Sequence, residues 1–157
     1  MSEFQFLVHG VPAPKGSLRG FIPKGWTRPV LTSTTGPRLK DWAHSVSVCA
    51  LQARGQQTII TGAVMLEAIF FFDRPKSARK RMHVTVRPDV DKVLRSTCDA
   101  LTGILFNDDA QIVRMIGEKR YADQENPPGA FITVRSLDVF RTQLLRRAAQ
   151  VSETGEL

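Results

Sequence analysis

The sequence predicts an α+β domain built on a mixed sheet of about four to five strands, with two main helices and a third helix at the C-terminal end. Three observations carry this reading. Strand-like apolar stretches occur near both ends of the chain and in its middle. Two stretches with helical apolar spacing lie between them. The last two strand-like stretches follow each other directly, across an Asn126-Pro127-Pro128-Gly129 turn, which an alternating βαβα order would not give. The 157 residues suit a single domain.

Taken in order, residues 3–11 alternate, with Phe4, Phe6 and Val8 on one face, as a strand buried on one side does. Residues 12–38 hold Pro12, Pro14, Gly16, Gly20, Pro23, Gly25, Pro29, Gly36 and Pro37, which makes a long loop with room for a short hairpin. This loop carries Lys15, Arg19, Lys24, Arg28 and Arg38, and a loop of that length in a small domain is functional or mobile. From Leu39 to Arg54 the residues Leu39, Trp42, Val46, Cys49, Ala50 and Ala53 share a helix face, and Gly55 can end it. Residues 62–73 are too β-branched and aromatic for a helix and read as a largely buried strand, its Phe70–Phe72 run being core rather than a base-stacking platform. A basic loop follows over 74–81, then a short strand or extended lead-in over 82–86.

Pro88 favours a helix start just beyond it, and Val90, Val93, Leu94, Thr97, Leu101 and Ile104 mark the buried face of a helix ending near Gly103. Residues 106–109 make a turn, and 111–121 and 129–136 read as strands. A basic amphipathic helix is expected over 137–150, with Leu137, Phe140, Leu144 and Ala148 on one side and a frayed tail after it.

Composition narrows the function. No run of ~18 apolar residues exists to cross a membrane. The N-terminal stretch is too polar and short for a signal peptide, so a cytoplasmic protein is expected. Cys49 and Cys98 are far apart and form no CxxC, which argues against a disulfide scaffold and a zinc ribbon. The net charge of +7 points to a polyanionic partner. That charge is uneven: residues 1–88 carry 13 Lys and Arg against 4 Asp and Glu, whereas 89–157 carry 9 against 11. The densest basic run, Arg74, Lys76, Arg79, Lys80, Arg81 and Arg87, abuts an acidic group of Asp89, Asp91, Asp99, Asp108 and Asp109. Either these neutralise each other on the surface, or the bases form a phosphate-binding rim around a metal centre.

The acids sit where both readings fit. Asp89 and Asp91 flank a strand-to-helix junction, and in extended backbone residues i and i+2 point to the same side. Asp109 follows a helix of about 12 residues, or ~18 Å, so the chain must double back to bring it to the same place. Carboxylates that converge repel by ~4 kcal/mol per close pair at an effective dielectric near 20, and so either take up protons or bind a cation. Oxygen-only ligands suit Mg²⁺ or Mn²⁺. The plainer reading makes Asp89 or Asp91 a helix cap and Asp108 and Asp109 turn residues. Arg95 lies four residues from both Asp91 and Asp99, which makes either an i,i+4 ion-pair ladder or a cation for a scissile phosphate. His9, His44 and His83 show no ligand spacing.

The stretch R-P-D-V-D over 87–91, with Arg95, D-A-L at 99–101 and G-I-L-F-N-D-D-A-Q-I over 103–112, resembles the RusA family of Holliday-junction resolvases. The early V-P-A-P-K-G-S segment is similar to that family's N-terminal loop, and Lys119 falls where the family carries a lysine. The likeness runs from about Phe4 to Val134. It implies a RusA-like fold over 1–140, with 141–157 as a helical extension or tail. It also implies a Mg²⁺-dependent homodimeric endodeoxyribonuclease, with Mn²⁺ able to substitute, that binds four-way DNA junctions and nicks two opposed strands. The family's essential aspartates carry over to Asp89, Asp91 and Asp109 as metal ligands and catalytic residues.

Two positions depart from the family pattern. Arg95 replaces a lysine, keeping the charge while giving up a proton far less readily, and Lys92 stands where asparagine is usual. Lys15, Lys76, Arg79, Lys80, Arg81, Arg87, Lys92 and Lys119 are the expected DNA contacts, with the protein nucleoid-associated when DNA-bound. Two other readings stand beside the nuclease. One is a branched-DNA-binding module whose Arg95 and Lys92 have cost it catalysis; the other is a plain basic domain with capped helix ends.

Overall fold

A computed structural model describes residues 3–16, 18–33 and 36–137. The elements are β1 (Glu3–His9), β2 (Leu18–Phe21), β3 (Val30–Ser33), α1 (Pro37–Arg54), β4 (Val64–Phe72), α2 (Val90–Leu101), β5 (Ile112–Tyr121) and β6 (Gly129–Ser136). Four strands form one sheet in the order β1-β6-β4-β5, and β2 and β3 pair separately. β6 runs antiparallel to both β1 and β4, while β4 and β5 are parallel. Parallel neighbours need a long crossover. Here the crossover is the 73–89 loop followed by α2, so both ends of α2 are tied to the β4–β5 pair.

The expected α+β fold with a mixed four-stranded sheet and two helices is what forms. β1 alternates as its sequence does, burying Phe4, Phe6 and Val8. Both helices cover that face of the sheet. Trp42 of α1 meets Phe70 of β4 edge to face, with ring centroids 6.4 Å apart. Its indole Nε1 donates to Thr97 Oγ1 of α2 at 3.2 Å, which satisfies a polar group that burial would otherwise leave unpaired. Phe70 and Phe71 are buried and Phe72 packs against the core, so the aromatic run is interior as expected.

α2 lies close against β5 because Gly117 has no side chain. A Cβ there would overlap Leu94 and come within 3.0 Å of Val90 Cγ2. Gly103, at φ +77°, ends the helical path and lets its N–H donate to Phe106 O at 2.7 Å, turning the chain back toward the sheet.

Two expectations are corrected or refined. Residues 82–86 are not a strand: Val84 is buried against Ala78 and Tyr121, and Thr85 N donates to His83 O, so the chain bends around one anchor. The hairpin allowed for within 12–38 forms as β2–β3; the side chain of Arg19 lies outside the described residues. The helix expected over 137–150 lies outside them from 138 onward, as does the whole 141–157 extension. Leu137 itself donates its N–H to Ala63 O at 2.8 Å.

Candidate active site and DNA-binding rim

Asp89 occupies the position before the first turn of α2, yet its side chain makes no capping hydrogen bond. Instead it pairs with Lys92 at 3.2 Å. Asp91 lies in the first turn, where the helix dipole favours negative charge, and has no hydrogen bond or ion pair among the described residues. The capping role that the sequence left open for these two acids is therefore not taken by either side chain.

The 106–111 turn separates its two aspartates. Asp108 Oδ1 accepts from Ala110 N at 2.8 Å, and the Gln111 side chain accepts from Asp108 N at 2.9 Å, a reciprocal capping box. The Gln111 amide also donates to Ile60 O and Gly62 O, stapling the turn to the start of β4. Asp108 is thus a turn residue, as the plainer reading had it. Asp109, one position on, has no such partner among the described residues and faces outward.

What faces Asp109 is α2. Asp91, Leu94, Arg95, Cys98 and Asp99 of the helix line one groove with Asp109, Ile112 and Met115, enclosing about 420 Å³. The doubling back that the sequence required does occur, because β5 returns along α2 beside β4. Asp89 is not part of this lining.

Arg95 is exposed and makes no ion pair among the described residues, so the expected i,i+4 ladder does not form. Its C-terminal partner is taken: Asp99 pairs with Lys15 at 2.6 Å. Cys98 registers the charge around it, its thiol pushed up to about 11 by burial first and then by Asp109 and Asp99, against Lys15. Hard divalent cations take oxygen ligands, and the groove offers the carboxylate oxygens of Asp91, Asp99 and Asp109. A second cavity of about 380 Å³, lined by Gly10, Val11, Arg38, Asp41, Trp42 and Ser45, has only one carboxylate.

The donor chemistry fits Mg²⁺. Among the described residues no three His, Cys, Asp or Glu side chains form a ready-made cation cage. Mg²⁺ does not call for one, since it keeps several waters and is bound through one or two carboxylates together with substrate phosphates.

The eight expected DNA contacts divide into two groups. Lys76, Arg79, Lys80, Arg81 and Arg87 are exposed and make no ion pair among the described residues. Their loop is ordered from beneath by Arg74, whose guanidinium lies 4.1 Å from the Tyr121 ring centroid and donates to Ala78 O and Arg81 O. Arg74 thus ties this loop to the end of β5. Lys15, Lys92 and Lys119 are engaged internally, the first two with Asp99 and Asp89. Lys119 Nζ donates to Val86 O and Pro88 O, both at 2.8 Å, and so holds the segment leading into Asp89 and Asp91.

Sequence reasoning missed the contacts that fix the 12–16 segment against α2. Lys15 N donates to Lys92 O at 3.0 Å and Ser96 Oγ donates to Ala13 O at 2.6 Å, links that span about eighty residues and leave no local pattern.

Residues 20–135 match the family described as Endodeoxyribonuclease RusA, most of the chain and the whole of the groove. The chain belongs to the RusA endodeoxyribonuclease family. It is also 29% identical over 135 residues to the uncharacterized protein YqaN of Bacillus subtilis strain 168, covering 79% of this chain and 92% of that protein. The RusA match includes Asp89, Asp91, Arg95, Asp99 and Asp109, and it also takes in the β2–β3 hairpin from Gly20 onward. No described helix is long and apolar enough to cross a membrane.

Proposed function

We propose that the protein is a Mg²⁺-dependent, homodimeric resolvase that binds four-way DNA junctions and nicks two opposed strands by phosphodiester hydrolysis. The observation that carries this is the groove that Asp91, Asp109 and Arg95, which has no ion pair among the described residues, line together in a RusA-family chain with a basic, exposed 76–87 stretch.

Asp91 and Asp109 would hold the metal, with Asp89 completing the acidic set. A Mg²⁺ ion held there would supply activation of the attacking water and neutralisation of charge on the scissile phosphate. The protein's own groups do the rest. Arg95 forks onto the phosphate oxygens and stabilises the charge that develops on them, without donating a proton. Lys92, 3.2 Å from Asp89, fixes that carboxylate at the start of α2. Lys76, Arg79, Lys80, Arg81 and Arg87 attract and position the phosphate backbone, a contribution independent of sequence. A homodimer suits a substrate with two-fold symmetry, presenting one groove to each of two opposed strands.

The test is incubation with a synthetic four-way junction and a linear duplex, with and without Mg²⁺, alongside Asp91→Asn. Symmetric nicks in the junction that need both metal and Asp91 are expected. Retention of the junction without cleavage under any metal condition would favour the binding module instead.

A further inference from the structure

The β2–β3 hairpin and its tip expose three large apolar side chains close together in sequence. Phe21 is 51% exposed, Ile22 62% and Trp26 62%. Its tip is a fixed turn rather than a loose loop: Trp26 N donates to Pro23 O at 3.0 Å, and Gly25, at φ +89°, takes the position that such a turn reserves for glycine. Lys24 and Arg28, both exposed, lie two residues either side of Trp26 in the sequence. No aspartate or glutamate occurs between Glu3 and Asp41.

The hairpin's root is fixed beside the carboxylate groove. Lys15 is bonded to α2 through Lys92 O and through Asp99, and Ala13 through Ser96. Leu18 follows Lys15 by three residues, at most ~10 Å of chain. An aromatic, acid-free finger rooted beside the carboxylate groove matches the chemistry of nucleic-acid bases. Their flat faces stack on indole and phenyl rings while their phosphates attract the flanking cations.

We infer that the hairpin tip is a branch-point reader: Trp26, backed by Phe21, stacks on bases left exposed where four strands exchange, and Lys24 and Arg28 hold the adjacent phosphates. An intact duplex hides its base faces, so this contact confers preference for branched over linear DNA. The inference rests on the nuclease reading for the groove.

Binding is measured in metal-free buffer, so that cleavage plays no part, with the full chain. The probes are a four-way junction bearing 2-aminopurine at the branch point and a linear duplex of the same sequence. The parent should lower 2-aminopurine emission on the junction, because the indole of Trp26 stacks on the analogue. Trp26→Ala should lose that response and weaken junction binding roughly 5- to 150-fold, the range typical when one base–aromatic stack is removed. Its duplex binding should stay unchanged, and Trp26→Phe should restore most of the junction preference.

Parental junction affinity and 2-aminopurine response in Trp26→Ala would overturn the inference. So would a fall from dimer to monomer in that variant by ultracentrifugation, which would make the tip a contact between copies. The two readings fail separately. A parent that shows the Trp26-dependent response yet never cuts with Mg²⁺ refutes the nuclease and supports the reader; one that cuts junctions with Trp26→Ala at full affinity does the reverse.

Discussion

Replacing Gly117 by alanine tests whether the groove depends on the close approach of α2 to β5. The new Cβ would overlap Leu94, coming within 2.9 Å of its Cγ, and would stand 3.0 Å from Val90 Cγ2. Gly117 has no positive φ, so alanine meets no backbone strain there and the crowding acts alone. Overpacking of this kind costs about 1–3 kcal/mol. Against it stands a gain of ~0.4–1 kcal/mol, because alanine restricts the unfolded chain. The expected result is a net loss of up to ~2.6 kcal/mol, seen as a melting temperature lower by up to ~10 °C in a domain of this size. Junction cleavage should slow as well, because Leu94 sits between Asp91 and Arg95 on the wall that is pushed away from Asp109 and Met115. A double-mutant cycle in urea isolates the cause. With Leu94 already cut to alanine the overlap is relieved, and Gly117→Ala should then be neutral or stabilising by ~0.4–1 kcal/mol. An equal cost in both backgrounds, or a more stable single variant, would refute the argument that Gly117 sets the helix–strand distance.

Arg95→Ala should lower the single-turnover cleavage rate by ~10²–10³ while Arg95→Lys keeps most of it; a near-parental alanine variant would remove Arg95 from the phosphate. Lys80→Ala with Arg81→Ala should flatten the dependence of log K on log[salt] by roughly 0.9 for each phosphate that the loop no longer neutralises, and an unchanged slope would take this loop out of the rim. Lys119→Met should leave that slope unchanged, because its ammonium is bonded to Val86 O and Pro88 O, while destabilising the protein by ~1–2 kcal/mol and slowing cleavage. A slope reduced by about one unit would instead put Lys119 on the DNA.

What was legible in the sequence is what depends on local periodicity. Phe4, Phe6 and Val8 alternate, the apolar face of α2 repeats every three to four residues, and these patterns place the strands and helices to within a few residues. The Asp108–Gln111 pair is also a local signal, since the spacing of cap and amide matches a capping box. Partner choice across the chain was not legible. Asp99 could equally have paired with Arg95, four residues away, and it is the tertiary position of the 12–16 segment that gives it Lys15. The same holds for Lys119, which the family resemblance put among the DNA contacts and whose place on β5 brings it against two carbonyls. Residues 82–86 misled because Val84 and its apolar neighbours look extended, while only Val84 is buried and the chain around it bends.

The strand order β1-β6-β4-β5 also bears on how the chain acquires its shape during synthesis. β6 is the last strand to emerge, yet it lies between the first strand and β4, pairing Phe4 with Val134 on one side and Leu66 with Val134 on the other. The β4–α2–β5 crossover, with every acid of the groove, is complete once Tyr121 has left the ribosome. Until β6 follows, β4 presents an apolar strand with one open side, and β1 has no partner. The half that carries the groove is thus assembled first and waits, with an exposed edge of the kind that invites aggregation, for one late strand to close the sheet on both sides at once.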